Sequence, residues 1–144
     1  MKRLLPLALS LAFTACASLA NPPAKMQSNM LVGPNGMTLY VFDKDEAGSG
    51  KSVCNGKCAE NWPPLAAADG DKGSGDFSVI ARDDGKKQWT YKGKPLYYFA
   101  GDKQPGQRLG DGQGGVWHAI AAGAAAGSST TSGATSAGYS NYGY

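Results

Sequence analysis

The sequence predicts a mainly β fold: one small domain built from two duplicated β-hairpin or strand units, with one short helical turn carrying a cysteine pair. Three observations point there. The segment Gly36–Asp45 lies over Gly93–Asp102 at an offset of 57 residues, with Gly, Leu, Tyr, Phe and Asp identical. The runs Leu39–Phe42 and Leu96–Phe99 are apolar or aromatic at every position, as a strand covered on both faces requires. Asn35-Gly36, Lys92-Gly93 and Asp84-Gly85 punctuate these runs, and such dipeptides supply the positive φ angles of tight hairpin turns.

In chain order, Lys2 and Arg3 precede the apolar run Leu4–Phe13, the pattern of a secretory signal. The run is shorter than the roughly 20 residues that a spanning helix needs. Two cleavage sites compete. Ser18-Leu19-Ala20 suits ordinary signal peptidase, giving residues 1–20 as a signal peptide, whereas Phe13-Thr14-Ala15-Cys16 places Cys16 where a lipid would be attached. Either cut resolves the odd cysteine number, leaving Cys54 and Cys58 as a pair in an oxidising compartment.

Residues 21–29 read as a linker, and residues 30–120 as the duplicated domain, with repeats at about 30–65 and 87–120. Strands are expected at Leu39–Phe42, Phe77–Arg82, Gln88–Tyr91 and Leu96–Phe99. Asp45 and Asp102 fall just past the two repeated strands, where a short carboxylate accepts backbone N–H groups and closes a turn. A helix is expected over Ser52–Asn61, stopped by Pro63-Pro64. Trp62 with Leu65 matches Trp117 with Ile120 after a two-residue shortening. Residues 121–144, almost all Gly, Ala, Ser, Thr and Tyr, have little to bury and read as a disordered tail. Without Lys2 and Arg3 the chain carries 12 basic and 11 acidic residues, which gives no electrostatic case for nucleic acid.

The chemistry-bearing residues are few. Cys54 and Cys58 stand four apart, and on a helical turn that spacing brings the Cα atoms into disulfide range. A structural staple is the plain reading. A redox pair, or a copper or zinc site completed by His118 and the methionines Met26, Met30 and Met37, is the alternative. Two patterns are near misses. Asp43–Cys54 opens like a calcium loop but has Ala47 and Cys54 where ligands belong. The phosphate-loop pattern before Lys51-Ser52 has Asp45 in place of its first glycine. Tyr40, Trp62, Trp89, Tyr91, Tyr97, Tyr98 and Trp117 could form a sugar-stacking face, but a core this small needs them as filling. The only histidine, His118, follows no nucleophile elbow, and Asp45 with Asp102 reads as two copies of one turn rather than a catalytic dyad.

These residues resemble the bacterial family described as a secreted repeat of unknown function, or predicted lipoprotein with a Tyr-x-aromatic-x-x-Asp motif. Here the motif is Tyr40-x-Phe42-x-x-Asp45 and Tyr97-x-Phe99-x-x-Asp102, joined by Cys54–Cys58, Trp62-Pro63-Pro64-Leu65 and Trp117-His118. Phe13 departs from the leucine usual in a lipobox. The resemblance implies export and a paired-repeat domain, and it implies no reaction. The expectation is therefore an exported protein of the periplasm or cell envelope with no cofactor and no catalytic residues, soluble or anchored through Cys16. It would act as a binding or structural module for another envelope component. The alternative is a redox or metal accessory protein using Cys54, Cys58 and His118.

Overall fold

A computed structural model of the protein describes residues 22–123, and the repeat governs how they are arranged. The expected signal region, Cys16 and the tail beyond Gly123 lie outside the described residues. The first half runs from β1 (Lys25–Gln27) and β2 (Met30–Val32) through β3 (Tyr40–Phe42) and the helix α1 (Lys57–Asn61) to β4 (Ala66–Ala67). The second half begins with the hairpin of β5 (Phe77–Ala81) and β6 (Lys87–Tyr91). It continues through β7 (Lys94–Pro95) and a short 3-10 turn at Gln113–Gly115 to β8 (Trp117–Ala119).

Each half thus consists of a hairpin, a tight turn, an aromatic strand and a return segment. The hairpins β1–β2 and β5–β6 are antiparallel and lie within their own halves. The turns that follow use the glycines of the repeat, Gly36 at φ 77° and Gly93 at φ 80°. Lys92 also has positive φ, 49°, so Lys92-Gly93 forms the two-residue mirror-image turn that suits twisted hairpin strands.

The return segments cross over. β4 of the first half pairs with β6 of the second through Ala66↔Gln88 and Ala67↔Lys87. Ala121 of the second half bridges Met30 of the first. In the middle, β3 pairs antiparallel with β8, setting Tyr40 opposite Ala119 and Phe42 opposite Trp117. Tyr40 and Tyr97, equivalent in the repeat, bond each other: Tyr40 N–H donates to Tyr97 O at 2.8 Å and Tyr97 N–H to Tyr40 O at 3.0 Å. That reciprocal pair marks an approximate two-fold axis relating the halves.

The two faces of the central strands build two cores, as alternation along a doubly covered strand demands. Leu39, Val41 and Leu96 point into an aliphatic cluster with Leu31, Leu65, Trp89 and Ile120. Tyr40, Phe42 and Tyr97 point into an aromatic cluster with Trp62, Trp117 and Cys54. Leu39, Tyr40, Leu96 and Tyr97 are each fully shielded from solvent.

Several expectations need correction. Residues 25–27, assigned to a linker, form β1, whose three side chains are all exposed and so show no hydropathy pattern to read. The second repeat unit starts at β5 rather than near residue 87, because β5–β6 is the counterpart of β1–β2. Leu96–Phe99 is not a regular strand; Tyr97 makes single bridges to Tyr40 and Pro64 instead. The helix spans Lys57–Asn61 only, because Gly56 sits at φ 55° and Ser52–Cys54 are engaged elsewhere. Cys58 therefore lies on the helix and Cys54 on the loop before it. Ala121, assigned to the tail, is tied to Met30.

A β-carbon at Gly93 would come within 2.8 Å of the Gly48 backbone nitrogen, whereas one at Gly36 would meet only Pro105 side-chain atoms at 3.4 Å and beyond. Both positions carry the left-handed penalty of about 1–2 kcal/mol for a side chain. Gly93→Ala is therefore expected to destabilise the protein clearly more than Gly36→Ala, as read from urea midpoints of the two variants.

Candidate functional site

The residues that the sequence repeats converge on the two-fold axis, and they do so crosswise. Tyr40 Oη donates to Asp102 Oδ2 at 2.6 Å, and Tyr97 Oη donates to Asp45 Oδ2 at 2.5 Å. Each tyrosine thus reaches the aspartate of the other half. The second carboxylate oxygens are used alike, Asp45 Oδ1 accepting from Val53 N–H and Asp102 Oδ1 from Leu109 N–H, both at 2.8 Å. Each aspartate also closes its own turn, with Asp45 N–H on Phe42 O and Asp102 N–H on Phe99 O.

The aromatic rings obey the same symmetry. Trp62 and Trp117 stack with centroids 3.7 Å apart and planes 4° from parallel. Phe42 stacks on Trp117 of the other half at 4.2 Å, and Phe99 lies against Trp62 at 4.5 Å. Tyr40 meets Trp62 edge-on, and Tyr97 meets Trp117 in the same way. Offset and edge-to-face contacts add to the area that each ring buries. Tyr40, Trp62, Tyr97 and Trp117 are all within a few per cent of complete burial, so a sugar ring has no access to their faces.

Burial in this apolar setting pushes the Tyr40 and Tyr97 hydroxyls well above the usual tyrosine value, and the adjacent carboxylates add to the effect. Burial likewise raises Asp45, against the opposing pull of the Tyr97 hydroxyl, the Val53 N–H, Lys94 and Arg82. Desolvation wins there because the side chain is completely enclosed.

The two halves differ around Asp45. Because the Tyr97 proton goes to Asp45, Ser52 Oγ donates to Tyr97 Oη at 2.6 Å. Arg82, a buried cation, donates through Nη1 to Ser52 Oγ and Gln88 Oε1, and through Nη2 to Cys54 O and Asn55 Oδ1. Gln88 passes the chain on to Leu96 O. Around Asp102 the corresponding loop offers only the Gly110 N–H to Tyr40 Oη, at 3.4 Å. Ser52, Arg82 and Gln88 were missed by the sequence reading. No hydropathy signal pointed to them: Gln88 and Thr90 alternate with Trp89, a pattern that reads as a strand with one wet face, although all three are buried.

Cys54 and Cys58 form a disulfide with Cα atoms 5.2 Å apart. Gly110 takes the place of Cys54 in the other half, since Val53 and Leu109, one residue earlier, make the same bond to their aspartates. A β-carbon at Gly110 would come within 2.8 Å of the Trp62 ring. The disulfide is therefore an addition to one half, not part of the repeated scaffold. His118 lies on β8 with Nε2 2.8 Å from Asp43 Oδ2. Among the described residues, no three side chains of His, Cys, Asp or Glu converge as metal ligands, and an oxidised pair supplies no thiolate. Met26 and Met30 belong to the β1–β2 hairpin, and Met37 follows Gly36 in the first turn. A cleft of about 550 Å³ opens between the disulfide loop and the β5–β6 turn, with Asn55, Glu60, Pro64, Arg82, Asp83 and Lys86 in its wall.

A family model described as a secreted repeat of unknown function matches residues 28–66 and 78–121, one match in each half. No curated protein matches the chain, and no solved structure does.

Two outcomes follow from the buried pairs. Tyr97→Phe removes the donor to an enclosed carboxylate and is expected to cost about 1–3 kcal/mol in denaturant unfolding. Asp45, raised by burial, favours the folded state fully below its ordinary value of 3.8, and that contribution is lost as pH rises through the higher folded value. Relative to the parent, Asp45→Asn should therefore gain stability as pH climbs from that ordinary value toward neutral. Urea midpoints of the two proteins across that range provide the check.

Proposed function

The chain belongs to the family described as a secreted repeat of unknown function, and from that premise we propose that it is an exported, non-enzymatic module of the cell envelope. In this reading it binds or supports another envelope component. One observation carries the proposal: Tyr40, Tyr97, Asp45, Asp102, Trp62 and Trp117 are consumed in holding the halves together and have no surface left for a substrate. Residues that a duplication keeps in both copies and buries at their common axis are framework. Among the described residues no helix is long and apolar enough to cross a membrane, so retention at the envelope would come from a lipid on Cys16 or from the partner itself.

Recognition then belongs to what the halves do not share. The disulfide loop, α1 and the β5–β6 turn meet at the cleft walled by Glu60, Asp83 and Lys86, and the first half's counterpart of that turn is only Ser28-Asn29. Site-specific photo-cross-linking in intact cells tests this, with the probe at Glu60 or at Gln27 on β1. A discrete adduct from residue 60 and none from residue 27 is expected. Equal capture from both positions, or from neither, would overturn the reading.

A second reading has one observation in its favour. Because only one half carries the disulfide, the scaffold does not require it, and a thiol-exchanging role for Cys54 and Cys58 remains compatible with the fold. Replacing both cysteines with serine should cost about 2 kcal/mol if the bond only closes a five-residue loop. Thiol titration of the purified protein separates the two roles. The structural role predicts no free thiol among Cys54 and Cys58 and no cycling with a glutathione buffer, whereas ready cycling would favour exchange.

A further inference from the structure

Each half of this chain is incomplete without the other. Within a half, the regular pairing is confined to its own hairpin and the turn that follows. Much of what encloses the cores runs between halves. β3 lies on β8, β4 on β6, and Ala121 on Met30. Leu31 N–H reaches Ile120 O, while Trp89 N–H reaches Leu65 O. The two tyrosine–aspartate bonds, the stacked tryptophans and the bonds from Arg82 to the disulfide loop also join one half to the other. The halves are related as the two subunits of a two-fold dimer would be, except that a peptide connects them.

That connection is slight. Residues 68–76 are all exposed and contain three glycines, Gly70, Gly73 and Gly75. The segment is held by two local turns, Asp71 N–H on Ala68 O and Phe77 N–H on Ser74 O, and by the Asp71 carboxylate accepting from Ala68 N–H. Beyond the turns its ties are few: the half-buried Lys87 ammonium donates to Asp69 O, Lys92 N–H donates to Asp76 O at 2.8 Å, and the Lys92 ammonium lies 4.0 Å from the Asp76 carboxylate. Extended, a chain of that length reaches about 30 Å.

From this geometry we infer that a second copy of this chain is a binding partner, joined by exchange of halves. Residues 22–67 of one copy close on residues 77–123 of another, and the reverse pair closes alongside. Every contact at the axis is then made between copies, so the closed monomer and the exchanged dimer differ only at residues 68–76. Such exchange of identical elements is a low-cost route to a dimer. Which form prevails is set by the connector, because a short flexible link gives its two ends an effective concentration in the millimolar range. At micromolar chain the monomer is favoured. As chain concentration approaches the effective value, or as the connector shortens below the span it must cover, the dimer takes over. Interconversion requires opening both cores, so each form persists once made. The inference rests on the fold alone and stands whether or not the cleft beside Glu60 binds a partner.

Refolding decides the matter. The purified protein, disulfide intact, is unfolded in guanidinium chloride and refolded at roughly 1 mM and at roughly 1 μM, on either side of the crossover, then sized by chromatography with light scattering. A dimer is expected from the concentrated sample alone, with the tryptophan spectrum of the monomer. It should survive dilution for hours and revert only after renewed unfolding. Monomer at both concentrations, or a dimer that dissociates at once on dilution, overturns the inference. Deleting Gly70–Gly75 should make the dimer obligatory at both concentrations, and a folded monomer from that variant would equally overturn it. Should the deletion prevent folding, the result with the intact chain stands alone.

Discussion

The reciprocal bond between Tyr40 and Tyr97 is the constraint on which the rest of the fold depends. Two equivalent residues can exchange N–H and C=O groups only if their strands meet antiparallel about a two-fold axis. Once they do, the alternation of side chains assigns every neighbour. Leu39 and Leu96 go to one face, while the tyrosine rings go to the other with Phe42 and Phe99 beside them. Placing the hydroxyls across the axis then brings each one to the aspartate of the opposite half. The two tryptophans, displaced equally from the axis, have no option but to meet face to face.

Burying two carboxylates in so small a domain is costly unless both oxygens of each are hydrogen-bonded. Both aspartates meet that condition with a tyrosine hydroxyl on one oxygen and a backbone N–H on the other. The bonds to Val53 and Leu109 do more than satisfy charge. They fix where the loop after each turn runs, and so where the chain re-enters the aromatic core. Paired with the tyrosines across the axis, they tie loop position in one half to strand position in the other.

On this common frame the halves have diverged. Beside Asp102 the chain passes close under Trp62 through Gly110, with no room for a side chain. Beside Asp45 the same passage is made by Cys54, stapled to Cys58, with Ser52 and the Arg82 guanidinium extending the polar chain to Gln88. A buried cation of this kind is weak support for stability, since its desolvation offsets what its bonds contribute. Its effect is positional. Arg82 holds the β5–β6 turn against the disulfide loop, and that junction forms the wall of the cleft.

Much of this was legible from the amino acids alone. Five identities at an offset of 57 residues show two copies of one unit, and residues apolar at every position of Leu39–Phe42 show a strand with no wet face. The four-residue separation of Cys54 and Cys58 pointed to a bond that is present, although Cys54 lies before the helix and not on it, and the glycine dipeptides marked turns that do carry positive φ. What stayed hidden has a physical cause in each case. β1 is exposed throughout, so no hydropathy pattern announced it. Arg82 and Gln88 are polar, and hydropathy reads such residues as surface although their partners draw them inward. The deepest gap concerns the crossing itself. Two copies of one strand-and-turn unit, alike at Gly, Leu, Tyr, Phe and Asp, have closely similar local preferences whether Tyr40 faces Asp45 or Asp102, so the sequence determined the repeated parts without determining which copy each part would join. Only the closing of both cores around a shared axis, where the crossed arrangement buries Tyr40, Tyr97, Trp62 and Trp117 and pairs both buried carboxylates, selected the crossed partner.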